Sequence, residues 1–389
     1  MKILLLNLWG VIDGKGGTEK VFFDMAAALA DRNYDVTALI LENKTTPPFF
    51  NVSNKISFIN CGEGFEPRFS LFQKLWIKLS FNKNKRHSFR DRIIDEQKAQ
   101  RLEPVIVKVQ PDIILSFNPD ATRALKLHMN MQCPVITLLH LCPQQFFSFM
   151  TDDTKKALEK SECIQVLMPS FIHEVSKNIR CNNIVSISNG VPQYELAKNI
   201  KRENIILHVG RFDHLCKRQH IIIEAFALLV NDFPDWKVDF WGEKDSDIKY
   251  YNYCQRLIKK HKLEGKVVFR GTTKNVEDVL KSAKIFAFPS AFEGFSLALT
   301  EAMSTGLPSV GCKDGISVNE IIVNGENGFL TDPNANDYAD KLRILMENDI
   351  LREKMGICAK HSIVRYAPNN IWDEWEKLIM NIICSKKNI

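Results

Sequence analysis

The sequence predicts an α/β protein built of two doubly wound, Rossmann-like domains facing a central cleft. Three observations lead there. At 389 residues the chain exceeds what one ordinary core holds, so two domains of about 150 to 200 residues are expected. Short apolar runs of strand character alternate with segments whose apolar residues recur at helical spacing. Several of those runs end in glycine, as buried parallel strands feeding helices do.

KILLLNLWG opens as a strand, GTEKVFFDMAAALADRN has the spacing of a helix, and VTALILE resumes a strand. DIILSF and VITLLH are further strands of the first half. In the second half IILHVG, KVDFWG, KVVFRG and KIFAFPS are strands, with helices expected over HIIIEAFALLVNDF, NYCQRLIKKHKL, NVEDVLKSA and SLALTEAMS. Asn-Gly, Pro and a charged stretch interrupt the pattern in ISNGVPQYELAKNIKREN. The boundary is placed there, with residues 1–191 as an amino-terminal domain and 192–366 as a carboxyl-terminal one. NNIWDEWEKLIMNII, after Pro368, reads as an amphipathic helix, and residues 367–389 are expected to pack back on the amino-terminal domain.

Composition is that of a globular protein, 45% hydrophobic and 25% charged. Ten cysteines are scattered without C-x-x-C or zinc-type spacing, which fits a reduced, cytoplasmic setting. MKILLLNLWG is too short an apolar run for a signal peptide, and no stretch approaches a membrane span. A net charge of +6 is a mild excess that suits phosphates or anionic lipid but does not imply nucleic-acid binding.

Two segments carry the chemistry. In AFEGFSLALTEAM, Ser296 is a suitable helix N-cap, so Leu297 onward would start a helix whose free amides can seat phosphate oxygens. Glu293 lies before that helix and Glu301 about 7 to 8 Å along it, so the two carboxylates address different parts of one ligand. The alternative is a surface helix with two solvated glutamates. In ILHVGRFDHLCKRQHIIIEAF, a strand runs through Gly210 into a loop with Arg211 and Lys217, two cations able to stabilise a departing diphosphate without a metal. They could also be solvated loop cations.

Other features are weaker. Gly14 and Gly16 give G-x-G, but Glu19 stands where a dinucleotide fingerprint needs its third glycine, which argues against an NAD-dependent oxidoreductase. Gly16 and Gly17 entering a helix fit a plain strand-to-helix turn. His140, after VITLLH, is by itself more often structural than functional. Asp245 and Asp247 have D-x-D spacing but read as a solvated loop. From residue 69 to 92, Phe69, Phe72, Trp76 and Phe81 interleave with Lys74, Lys78, Lys83, Lys85, Arg86 and Arg90. Such a stretch either lies on an anionic membrane surface or forms a helix with its aromatics in the core.

With these residues in hand, the chain resembles the retaining glycosyltransferases of GT-B fold, specifically their large family four. The resemblance rests on E-x7-E after a strand ending in Pro-Ser, then Ala-Met and GLPSVG, together with G-R and a following lysine. It is strongest over residues 205 to 335. It implies that Glu293 approaches hydroxyls of the donor sugar and Glu301 the nucleotide ribose, with Phe295 and Ser296 offering amides to the diphosphate. Arg211 and Lys217 would hold the leaving group, and His140 would face the donor sugar. Gly16, Gly17, Gly210, Gly294 and Leu297 complete the expected donor-binding set. Where the family usually has glycine after the lysine, this chain has Arg218.

The resemblance implies a retaining, metal-independent hexosyltransferase without a bound cofactor. It would move a sugar from a nucleotide diphosphate, UDP by default, to a glycan or lipid-linked acceptor in bacterial surface polysaccharide or lipopolysaccharide synthesis. A nucleotide-sugar epimerase of the same two-lobed fold is the rival. A peripheral contact with the inner face of the membrane through residues 69–92 is one of the two readings of that stretch.

Overall fold

The computed structural model describes residues 1–79, 83–129, 131–195 and 202–387. The chain divides into two compact units, Met1–Asn189 with Asn369–Ile389, and Gly190–Pro368.

The first unit holds strands β1 (Lys2–Asn7), β2 (Asp35–Ile40), β3 (Ser57–Asn60), β4 (Ile113–Ser116), β5 (Val135–Leu139), β6 (Cys163–Val166) and β7 (Ile184–Ser186). They form one sheet in the order β3-β2-β1-β4-β5-β6-β7, and every neighbouring pair is parallel. Register follows burial: Leu4 pairs with Thr37 and Ile114, and β4 and β5 are buried along their whole length. A strand covered on both faces has no polar side to alternate with, hence KILLLN reads as a continuous apolar run. The Gly17–Asp31 helix turns Val21, Phe22, Met25, Ala26 and Leu29 into the core, and Phe22 meets Phe117 edge-on at 5.0 Å.

The second unit holds β8 (Ile205–Val209), β9 (Lys237–Trp241), β10 (Val267–Gly271), β11 (Ile285–Phe288), β12 (Ser309–Cys312) and β13 (Gly328–Thr331), ordered β10-β9-β8-β11-β12-β13 and again all parallel. Its core gathers Ile206, Ile222, Phe226, Phe240, Ile285 and Val310 with Tyr338 and Leu342 from a covering helix. Each such side chain contributes about 1.5–3 kcal/mol by leaving water.

Five strands lie where the sequence reading placed none: β3, β6, β7, β12 and β13. The expected helix over HIIIEAFALLVNDF is shorter, Gln219–Ala227, because Leu228 onward breaks into turns. The final helix, Pro368–Lys387, buries Ile371, Trp372, Trp375, Ile379 and Ile382. Within the first unit its Asp373 pairs with Arg32 at 2.9 Å, and Tyr34 donates to Glu376.

Candidate functional site

The order of the second sheet reverses between β8 and β11. Loops leave the carboxyl ends of those two neighbours at this switch point, where a doubly wound sheet opens a crevice for a ligand. The loop after β8 carries Gly210, Arg211 and Lys217; the loop after β11 carries Glu293 to Ser296. They are tied together by Ala291 N–H, which donates to the Cys216 carbonyl at 2.8 Å.

Lys217 and Glu293 meet. The ammonium donates to Glu293 Oε1, with the two side chains only 14% and 13% exposed. The lysine Nζ also lies 5.3 Å from the centre of the Phe288 ring. A Cβ at Gly210 would be in ordinary contact with Lys217 Cδ at 3.5 Å and tight against His208 Nε2 at 3.1 Å. Beneath it His208 is fully buried, its Nδ1 on the Ala287 carbonyl at 2.8 Å and its Nε2 facing Gln219 Nε2 at 3.3 Å. That pattern places the proton on Nδ1, and burial, opposed by the bond to Ala287, lowers the imidazole pKa to about 3. Sequence reasoning missed both His208 and Gln219, which read as part of a strand and of a helix start.

Gly242 was missed as well. A Cβ on it would fall 1.9 Å from the Gly210 carbonyl oxygen, so the close approach of the two backbones requires glycine. The signal was present in KVDFWG, a strand ending in glycine beside another that does the same.

Arg211 is more open, 55% exposed, with Asp213 at 3.4 Å. Arg218 adopts φ 50 and ψ 43, the left-handed region where glycine is at ease. Its side chain donates to the Pro289 carbonyl at 2.7 Å and forks onto Asp314 at 2.6 and 2.8 Å.

Gly294 continues the second loop, and Phe295 is buried edge-on against Tyr366 at 5.1 Å. Ser296 occupies the N-cap position of the Leu297–Ser304 helix, but its side chain caps nothing: Oγ lies 3.4 Å from Ser317 Oγ. The expectation of a side-chain cap is corrected on this point. Glu301, in that helix, is 8% exposed.

In the first unit, His140 follows β5 and stacks on Phe117 at 5.1 Å. It is buried with Nε2 lacking a hydrogen-bond partner, and burial lowers its pKa to about 4, so it is neutral at physiological pH. Gly16 caps the Gly17–Asp31 helix, and a Cβ on it would lie 2.6 Å from Glu19 Oε2. Its φ of −89 is ordinary, and the glutamate end could move aside for a side chain there.

Asp247 caps the Ile248–Lys260 helix by accepting from Tyr250 N–H at 3.0 Å, which gives the second aspartate of D-x-D a structural role. Among the described residues no group of three or more His, Cys, Asp and Glu could hold a metal.

The basic, aromatic stretch forms the Leu71–Leu79 helix and the start of the Lys83–Val109 helix. Phe81 and the side chains of Lys83 and Lys85 fall outside the described residues. The first helix has no buried residue: Leu71 and Phe72 are 86% and 74% exposed, and Trp76 is half-buried on Phe89 at 4.3 Å. The reading that put Phe72 in the core is overturned. Beside it runs a groove of about 500 Å³ lined by Phe69, Ile77, Lys74, Lys78, Arg86, His87 and Arg90. No described helix is long and apolar enough to cross a membrane.

Comparison with known proteins adds to this geometry. Residues 194–362 match the family model described as glycosyl transferases group 1. An uncharacterized glycosyltransferase of Haemophilus influenzae is 26% identical over 95% of this chain and 97% of its own length. The poly(ribitol-phosphate) alpha-N-acetylglucosaminyltransferase of Staphylococcus aureus is 30% identical over 50% of this chain and 39% of its own. Among solved structures, a variant of S. aureus TarM in complex with Fondaparinux, alpha-GlcNAc-glycerol and UDP superposes with TM-score 0.77, 16% identity and coverage of 97% and 99%. HepE of Anabaena in complex with UDP and glucose gives 0.72, 17%, and coverage of 98% and 100%. The fold is therefore that of the GT-B glycosyltransferases. More narrowly, the match to the glycosyl transferases group 1 model lies within the second unit, over residues 194–362.

Proposed function

We propose that the protein transfers a sugar, with retention, from a UDP-sugar to a glycan or lipid-linked acceptor in bacterial surface polymer synthesis. The observation that carries this is the pairing of Lys217 with Glu293 at the switch point of the second sheet, with Arg211 open beside it. Each partner of that pair has a group in the donor that could replace the other. A diphosphate oxygen takes the ammonium, and a sugar hydroxyl donates to the released carboxylate, so no charge is left buried alone.

In this reading Arg211 and Lys217 supply the cationic charge on the leaving group, and no metal is invoked. The acceptor hydroxyl attacks the anomeric carbon from the face the diphosphate vacates. The bond from that carbon to the phosphate oxygen breaks, and the acceptor proton passes to the departing phosphate. Glu301 binds the ribose, the Leu297–Ser304 helix start receives the diphosphate, and Gly16, Gly17 and neutral His140 serve the donor from the first unit. UDP as the carrier is supported by the UDP bound to TarM and HepE, and the polymer role by relatives such as the amylovoran biosynthesis glycosyltransferase of Erwinia amylovora.

We further propose that the Leu71–Leu79 helix rests on anionic lipid at the inner face of the cytoplasmic membrane, on the strength of its exposed apolar residues beside Lys74, Lys78, Arg86 and Arg90. Incubating the protein with UDP-glucose and UDP-N-acetylglucosamine without acceptor tests the transferase reading. Slow release of UDP is expected. Formation of a sugar epimer would establish the epimerase instead.

A further inference from the structure

The loop after β8 contains a residue whose backbone and side chain are both unusual. Arg218 holds a left-handed conformation that L side chains rarely adopt, and such a conformation persists only where the surroundings over-determine it. Here they do. The guanidinium, largely buried, donates through Nε to the Pro289 carbonyl at 2.7 Å and through its fork to both oxygens of Asp314, at 2.6 and 2.8 Å. Pro289 begins the loop that leads to Glu293, and Asp314 lies just past β12. Glycine would take the same backbone without strain but could make none of these three contacts.

The contacts bracket the Lys217–Glu293 pair. On the β8 side, Cys216 N–H donates to Asp213 Oδ1 at 2.8 Å, and the N–H groups of Lys217 and Arg218 donate to the Asp213 carbonyl at 3.0 and 3.1 Å. Across the gap, Ala291 N–H reaches the Cys216 carbonyl at 2.8 Å. Lys217 is therefore flanked by two rungs, Cys216 to Ala291 and Arg218 to Pro289, that join its loop to the one carrying the glutamate. The fork onto Asp314 occupies the arginine's charge, so Arg218 acts as an anchor and not as a third cation for phosphate.

We propose that Arg218, anchored by Asp314, is a positioning residue that sets the place of the Lys217 ammonium. The proposal rests on the transferase reading for its effect on turnover, though not for its effect on Lys217 itself. In Arg218→Gly the backbone keeps its conformation while the clamp is lost, so folding is preserved and positioning is not. Two measurements are made on wild type, Arg218→Gly, Arg218→Lys and Asp314→Ala. The first is the rate at which acetic anhydride modifies Lys217, read by mass spectrometry of the peptide. Release of Lys217 from Glu293 is expected to speed labelling at least about fivefold in Arg218→Gly and in Asp314→Ala, because a paired, shielded ammonium reacts slowly. The second is UDP release from UDP-glucose and UDP-N-acetylglucosamine. Here kcat is expected to fall about tenfold in Arg218→Gly with donor KM changed less than about threefold, the signature of a misplaced reacting group. Arg218→Lys, which cannot make the fork, should not rescue kcat.

Unchanged Lys217 labelling in Arg218→Gly overturns the proposal. So does faster labelling with wild-type kcat, since the clamp would then exist without governing chemistry. If wild type releases no UDP from either donor, the transferase reading fails for those donors, and the labelling rates alone decide whether Arg218 holds the lysine.

Discussion

Lys217 and Glu293 lie 76 residues apart in sequence and form one ion pair where the loops after β8 and β11 meet. With both side chains mostly shielded, each neutralises the other's charge. Replacing either by alanine is expected to lower turnover at least about 10²-fold, the usual cost of removing a fixed charge that stabilises a transition state. Because they act as a unit, the double variant should lose little more than the worse single one. Steady-state kinetics on folded variants checks this, and near-normal rates would remove both assignments.

Glu301 is buried within the Leu297–Ser304 helix. If it binds the ribose, Glu301→Ala weakens the ground state and the transition state alike, raising donor KM with kcat little changed. An unaltered KM would contradict that role.

Burial lowers the pKa of His140 to about 4, of His208 to about 3 and of His220 to about 4. In the unfolded chain these residues take up protons near pH 6.5. Their contribution to stability is therefore full above about pH 6.5 and is lost as pH falls toward 4. Denaturant midpoints measured from pH 7 down to 4.5 should decline, and His208→Gln should flatten the slope. For turnover, His140 stays neutral from pH 6 to 8. A rate limb near pH 6.5 that disappears in His140→Gln would show that it carries charge after all.

Gly242→Ala places a methyl group against the Gly210 carbonyl, backbone against backbone. Overpacking of this kind costs about 1–3 kcal/mol, and here the strain falls on the loop that leads to Arg211 and Lys217. A lower Tm together with reduced turnover is expected. A variant of wild-type stability would mean that the loop can shift freely.

Exposed Leu71, Phe72 and Leu75 sit on the same short helix as Lys74 and Lys78. Flotation with vesicles containing phosphatidylglycerol should carry the protein upward at low salt and less so at 0.5 M, and phosphatidylcholine alone should not. Phe72→Ser with Leu75→Ser should abolish flotation. Equal binding to neutral vesicles would point to another surface.

Much of this was legible from the sequence because it is local. β11 is an unbroken apolar run and β1 and β8 each hold at least three consecutive apolar residues, and the Glu293 to Glu301 spacing stands within one loop and helix. The five strands that escaped notice are three or four residues long, and SFIN, CIQV, IVS, SVGC and GFLT carry polar or glycine positions that mask the run. Gln165, for instance, is buried in β6 because its amide donates to the Ile187 and Val166 carbonyls, a partnership no window of sequence displays. The same holds for Arg218: its departure from the family's glycine was visible, but not the Asp314 fork that goes with it. Gly242 and His208 matter through what approaches them from other strands.

The helix ending at Lys387 belongs, from Asn369 on, to the same unit as β1. A ribosome therefore releases the whole of Gly190–Pro368 before it supplies the last piece of the first unit. Domains fold as units while the chain emerges, so the second can mature first and the first must wait, its surface for Trp372 and Trp375 uncovered until that helix emerges. A chain cut short before residue 369 would leave the earlier-made half, not the later one, incomplete.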